Sequence, residues 1–137
     1  MAHWLVKSEP DKYSWDDLVR DGRTTWDGVR NHSAAINLRT MKLGDRAFFY
    51  HSNEGKEIVG IVEIVREHYI DPKDATGRFP AVDVTPVEAL ARPVTLAEIK
   101  TDKALEGIEL VRQSRLSVVP IRDAEWARIM ALGSTTG

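Results

Sequence analysis

Apolar residues fall in short alternating or continuous runs broken by polar turns, with a few stretches of helical period between them. His3 to Lys7 alternates weakly around Trp4, Leu5 and Val6 and predicts a buried first strand, ended by Ser8-Glu9-Pro10-Asp11. Ser14 ahead of Trp15-Asp16-Asp17-Leu18-Val19 predicts a capped helix with acids in its first turn, closed by Gly22. Trp15, Leu18 and Val19 share a face, so Trp15 reads as core. A second helix follows, capped by Asn31 or Ser33, with Ala34, Leu38 and Met41 at period 3.6 and Gly44 as its stop. Asp45 to Ser52 predicts a strand with Phe48, Tyr50 and Ser52 on one side and Phe49 and His51 on the other. Ile58 to Val65 is nearly continuous apolar with Gly60 inside, the pattern of a strand covered on both faces. These two are expected to pair as an antiparallel hairpin.

Glu67 to Arg78 is polar and predicts a loop, and Ala81 to Val87 alternates into a strand that Pro86 makes an edge or bulged one. A short helix is expected from Pro93 to Ile99, with Thr95 and Glu98 at capping-box spacing, and a linker from Thr101 to Gly107. Leu116 to Pro120 predicts a last strand. Asp123 opens a closing helix with Trp126, Ile129 and Met130 on one face and Gly133 at its end, leaving 134–137 as a frayed tail. About five strands and four short helices without βαβ alternation predict an α+β fold, a small curled sheet or barrel with helices around it.

Length and composition narrow the class without changing that picture. With 137 residues, 42% of them hydrophobic and 29% charged, residues 1–133 are expected to form one domain around a single core. The absence of cysteine excludes disulfides and thiolate metal sites and fits a reducing cytoplasm. No apolar run approaches the roughly 20 residues that span a bilayer. The formal net charge of −2 argues against coating nucleic acid by bulk electrostatics. Local charge differs: Arg20 to Arg46 holds six basic residues against three acidic ones, and Leu110 to Arg122 holds three arginines and no acid.

The chemistry concentrates in Thr25-Trp26-Asp27-Gly28-Val29-Arg30-Asn31. Trp26 offers a stacking plane and Gly28 a close backbone approach. Arg30 can grip a phosphate or carboxylate, and Asn31 carries both donor and acceptor. Asn31 also suits plain helix capping, and the two roles are compatible. Tyr50 and Ser52, if directed at this stretch, add a second aromatic wall and a hydroxyl; otherwise Tyr50 fills the core. A single flipped base then stacks there, with Lys7, Arg30 or Arg115 on phosphate. The chain lacks the phosphate-loop, dinucleotide, nucleophile-elbow and zinc-helix motifs, and its four histidines lack zinc-helix spacing. His51 and Ser52, adjacent on a strand, face opposite ways and cannot pair as base and nucleophile. The rival class is a small enzyme acting on modified nucleosides or nucleotides, with His51 or Glu9 as acid/base.

Trp26 to Asn31, together with Trp4-Leu5-Val6-Lys7-Ser8-Glu9-Pro10 and the segment Met41 to Ser52, closely resembles the EVE domain family. Gly60-Ile61-Val62, Val82-Asp83-Val84 and Arg115-Leu116-Ser117-Val118 extend the resemblance in order over nearly the whole chain. The resemblance implies a PUA-like fold related to the YTH and ASCH domains, a curled mixed β-barrel of about five or six strands with flanking short helices. It implies a non-catalytic reader of a modified base in DNA or RNA. From the residues themselves no cofactor, metal or membrane partner is expected, and a monomer is one expectation, with the oligomeric state left open by the sequence. Carried over, it gives a base pocket of Ser8, Trp26, Gly28, Val29, Asn31, Tyr50 and Ser52. Phosphate or backbone contacts fall to Lys7, Arg30, Arg115 and Ser117, with His51 as support.

Overall fold

The computed structural model describes residues 2–134. Its elements follow in the order β1 (His3–Ser8), α1 (Trp15–Asp21), β2 (Thr24–Trp26), α2 (His32–Thr40), β3 (Arg46–His51), β4 (Glu57–Ile70) and β5 (Pro80–Thr95). Then come α3 (Leu96–Thr101), one 3-10 turn (Lys103–Leu105), α4 (Glu109–Arg112), β6 (Val118–Ile121) and α5 (Asp123–Gly133). The six strands form one sheet in the order β2, β5, β4, β3, β1, β6, which curls without closing. Only β1 and β3 run parallel; the crossover between them carries α1, β2 and α2.

The α+β class, the β3–β4 hairpin and most of the helices are as expected from sequence. Ser14 and Thr95 both close full capping boxes, and Asn31 rather than Ser33 caps α2. Four elements differ. β4 continues through Ile70, so the loop expected from Glu67 shrinks to 71–79, because β5 supplies partners as far as Ile70. β5 runs through Pro86 to Thr95: the register shifts at Pro86, and β2 pairs only with Val82 to Val84, so the missing amide lies on a bulged, locally free edge. β2 and α4, three and four residues long, are too short for periodicity to reveal. Of the tail expected to fray, only Ser134 is among the described residues.

The core divides on the alternation of β3. On one side Phe48 stacks on Trp126 of α5, with ring centroids 3.9 Å apart. On the other, Phe49 meets Trp15 and Trp26 edge-on, each at 5.6 Å. Gly60 lies opposite Phe49 in the ladder, and the Trp15 indole occupies the space its side chain would take: a Cβ there would sit 2.5 Å from the ring. Asp45, buried before β3, accepts hydrogen bonds from the Trp4 indole at 3.1 Å and the Lys42 amide at 2.9 Å. It thereby ties β1 to the start of its parallel neighbour, a pair no hairpin can register.

Asp71, at the end of β4, is fully buried. Its carboxylate accepts from the Gly28 amide at 2.8 Å, the Arg30 guanidinium at 2.9 Å and the Lys73 amide at 2.7 Å. Burial pushes its pKa up, but Arg30 and the two amides outweigh burial and hold it below the ordinary carboxylate value. Asp74 orders the rest of the 71–79 loop, accepting from the Thr76 hydroxyl and from the Thr76, Arg78 and Phe79 amides, which also lower its pKa.

Gly60→Ala should cost about 1–3 kcal/mol by overpacking against Trp15, read as a lowered urea midpoint. Asp71→Asn should cost a similar ~1–3 kcal/mol at neutral pH, since a buried acceptor loses its charge while Arg30 keeps partial access to water. Because the folded-state pKa of Asp71 lies below its unfolded value of about 3.9, its contribution is complete above that pH and disappears as pH falls through the folded pKa. The stability gap between wild type and Asp71→Asn should therefore close on acidification; a gap independent of pH would contradict this role.

Candidate functional site

The Trp26 loop is positioned from two directions. β2 pairs Trp26 with Val82, which lays its indole against Phe49, and Asp71 then fixes the turn that follows. Gly28 adopts a φ of +76°, a left-handed conformation that favours glycine, and its amide points at the buried carboxylate. Val29 enters the core at 6% exposure. The Arg30 guanidinium binds the Val29 carbonyl and Asp71, and lies 5.3 Å from the centre of the Phe79 ring. Of the four sequence candidates Trp26, Gly28, Val29 and Arg30, three hold the loop together. Trp26 lines the cavity beside the loop.

Trp26 lines a cavity of about 470 Å³ with Lys7, Ser8, Tyr13, Thr24, Thr25 and Asp27, and Glu9, Lys12 and Lys73 complete its rim. This volume suits a small ligand. Two of the rim cations are matched by acids: Lys12 lies 3.0 Å from Glu9, and Lys73 lies 3.3 Å from Asp27. The Ser8 hydroxyl donates to the Tyr13 carbonyl at 2.6 Å, and the Tyr13 hydroxyl donates to Asp21 at 2.8 Å. Burial pushes the Tyr13 pKa up, which keeps its hydroxyl a donor. Tyr13, absent from the sequence candidates, is thus the second aromatic of this cavity. Its position in the polar turn after β1 gave no periodic signal.

Tyr50 and Ser52 do not share that hollow. They line a neighbouring cavity of about 340 Å³, and the alternation of β3 explains why: Trp26 packs on Phe49, and Tyr50 emerges from the opposite face. Lys7 lines both cavities and joins them, with its ammonium donating to the Ser114 carbonyl at 2.8 Å. Burial lowers its pKa. The Lys7 amide donates to the Ser117 carbonyl at 2.9 Å, so Ser117 steadies the strand end through its backbone. Asn31 and Arg115 lie on a third cavity of about 360 Å³, beside Ser33, Arg112 and Gln113. The Asn31 carboxamide oxygen caps α2, accepting from the Ala34 amide at 3.0 Å.

His51 accepts a hydrogen bond from the Trp15 amide at 3.1 Å, at the first turn of α1, and packs edge-on against Phe49. Burial lowers its pKa despite the nearby carboxylates of Glu57 and Asp16, favouring the neutral ring that this bond requires. It supports the Trp15–Phe49–Trp26 cluster, and its Nε2 is committed. Glu9, the other acid/base candidate of the enzymatic alternative, sits in its ion pair with Lys12. Among the described residues no group of three or more His, Asp or Glu is placed to hold a metal ion.

The family model described as the EVE domain matches residues 2–132. A solved structure from Rhodopseudomonas palustris is 52% identical, with a TM-score of 0.92 over 97% of this chain and 93% of its own. Human thymocyte nuclear protein 1 is 35% identical over 165 residues, which cover 96% of this chain and 73% of that protein. The crystal structure of that human protein in complex with DNA containing 5-methylcytosine matches with a TM-score of 0.91 at 34% identity, over 98% of this chain and 99% of that one. An ASCH protein from Zymomonas mobilis shares the fold alone, at 12% identity and a TM-score of 0.58 over 96% and 99% of the two chains. With nearly its whole length matched by the family model and by relatives above 30% identity, the chain belongs to the EVE domain family.

Proposed function

We propose that the protein is a non-catalytic nucleic-acid-binding module that takes one flipped, modified base into the cavity beside Trp26. The observation that carries this reading is the character of that cavity. An indole and a phenol line a space whose rim lysines Lys12 and Lys73 are each matched by a carboxylate, so it favours a flat, uncharged ligand with polar edges over an anion. The 5-methylcytosine base within the DNA bound by the human relative is a group of that kind. An enzymatic role in the same cavity has less support, since His51 is held as an acceptor by α1 and Glu9 by Lys12.

A modified base adds apolar surface or an edge group that an unmodified one lacks, and the energy of opening the stack is recovered only where that addition is recognised. Thr24, Thr25 and Ser8 supply small polar groups at the cavity wall, and Trp26 the stacking face.

Fluorescence anisotropy with paired oligonucleotides, one carrying 5-methylcytosine and one cytosine, tests this. Wild type should prefer the modified strand. Trp26→Ala should weaken its binding by about 1–3 kcal/mol, the range measured for stacking platforms, and should flatten the preference, with affinities referred to the folded fraction because Trp26 also packs on Phe49. Equal affinity of wild type for the two strands, or an unchanged preference in Trp26→Ala, would refute the assignment.

A further inference from the structure

The second cavity differs from the first in charge. Lys7, Lys56 and Lys100 line it and no carboxylate does. Among the described residues neither Lys56 nor Lys100 has an ion-pair partner. Tyr50, only 4% exposed, faces this cavity, and its hydroxyl has no hydrogen-bond partner among the described residues. No buried side-chain oxygen among the described residues lacks a partner, so this hydroxyl reaches the open space of the cavity, where a ligand can supply its acceptor. Lys56 ends the β3–β4 turn with a φ of +47°, a left-handed conformation disfavoured for a lysine and of the kind that gathers at functional sites. Lys7 stands between the two cavities, with its ammonium 6.0 Å from the centre of the Tyr50 ring.

We propose that this cavity, between Lys7, Tyr50, Lys56 and Lys100, seats a backbone phosphate of the same nucleic acid whose base enters the Trp26 cavity. The proposal rests on the base-reading assignment for the identity of the polymer, and on the cavity's own charge for the phosphate. The lysines supply point charges and the Tyr50 hydroxyl a directional donor, a combination suited to a phosphate oxygen. Lys7, common to both cavities, lies where the chain between base and phosphate has to cross. The seat carries no sequence information; it sets register and affinity, and the Trp26 cavity sets selectivity.

The test uses the exposed pair in a Lys56→Ala/Lys100→Ala double variant, with Tyr50→Phe as a second variant that removes only the hydroxyl. Each is titrated with the 5-methylcytosine and cytosine oligonucleotides over a range of salt concentrations. The double variant should weaken binding to both strands by a similar factor, lower the slope of log affinity against log salt by about 1, and leave the preference for the modified strand unchanged. Tyr50→Phe should weaken both strands several-fold without changing the slope. Unchanged affinity and slope in the double variant, while wild type still prefers the modified strand, would overturn the phosphate seat and spare the base reading. Equal binding of both strands by wild type, with the slope still lowered in the double variant, would remove the base reading and keep the seat. A 5-methylcytidine monophosphate binding as tightly as the oligonucleotide would overturn the backbone assignment.

Discussion

A buried carboxylate sets the geometry of the Trp26 loop. Asp71 lies at the end of β4 with no exposure to water, and three groups satisfy it: the amides of Gly28 and Lys73 and the guanidinium of Arg30. An ion in that position is tolerable only when its lone pairs are filled. The requirement works in both directions. The loop after β2 supplies the donors that let Asp71 stay charged, and Asp71 dictates the path by which the chain leaves Trp26. Because Trp26 is also pinned edge-on against Phe49, its position follows from one electrostatic contact and one packing contact, made by strands on different parts of the sheet.

β3 distributes the chemistry. Phe49 and His51 organise the side that holds Trp15, Trp26 and the start of α1, while Tyr50 faces a separate cavity. The two cavities adjoin because β1 lies parallel to β3 and puts Lys7 directly across from Tyr50 in register. Asp45 holds that parallel pairing through the Trp4 indole, so a residue remote from either cavity helps decide that they meet. Parallel pairs need such a device, since no tight turn fixes their register.

Most of the fold was legible in the sequence where local signals are strong. Capping boxes at Ser14 and Thr95, the stop at Gly22 and the alternation of β3 all carry their structural meaning in three or four residues. The extensions of β4 and β5 were not legible, because the end of β4 is a strand through pairing with Pro80 and Ala81, and Glu88 to Thr95 through pairing with Glu57 to Ile61, and neither through any apolar pattern. The site divides the same way. Trp26 and Lys7 stood out by residue type, and Ser8 at the end of β1 by the family motif. Tyr13 and Asp71 did not, since one sits in a turn and the other acts on a loop 41 to 43 residues earlier. The joint hollow expected of Trp26 and Tyr50 fails on the same period of two that was read for β3: once the indole packs on Phe49, its neighbour in sequence must face away.

A chain of net charge −2 has little long-range attraction for a polyanion, so any affinity has to come from where its cations stand rather than how many there are. Here the cations are sorted. At the Trp26 cavity Lys12 and Lys73 are held beside carboxylates, which offsets most of their pull on phosphate and leaves Lys7, shared with the neighbouring cavity, as the lysine there without an acid partner among the described residues. At the Tyr50 cavity the lysines have no such partners among the described residues, and the dielectric of a half-enclosed site strengthens each charge relative to one on an open surface. On the proposed reading, discrimination and attraction are placed side by side, with Lys7 common to the two cavities. A balanced aromatic cavity that carried the free charges as well would hold any phosphate-bearing strand regardless of its base, and a selective reader has to keep the two apart.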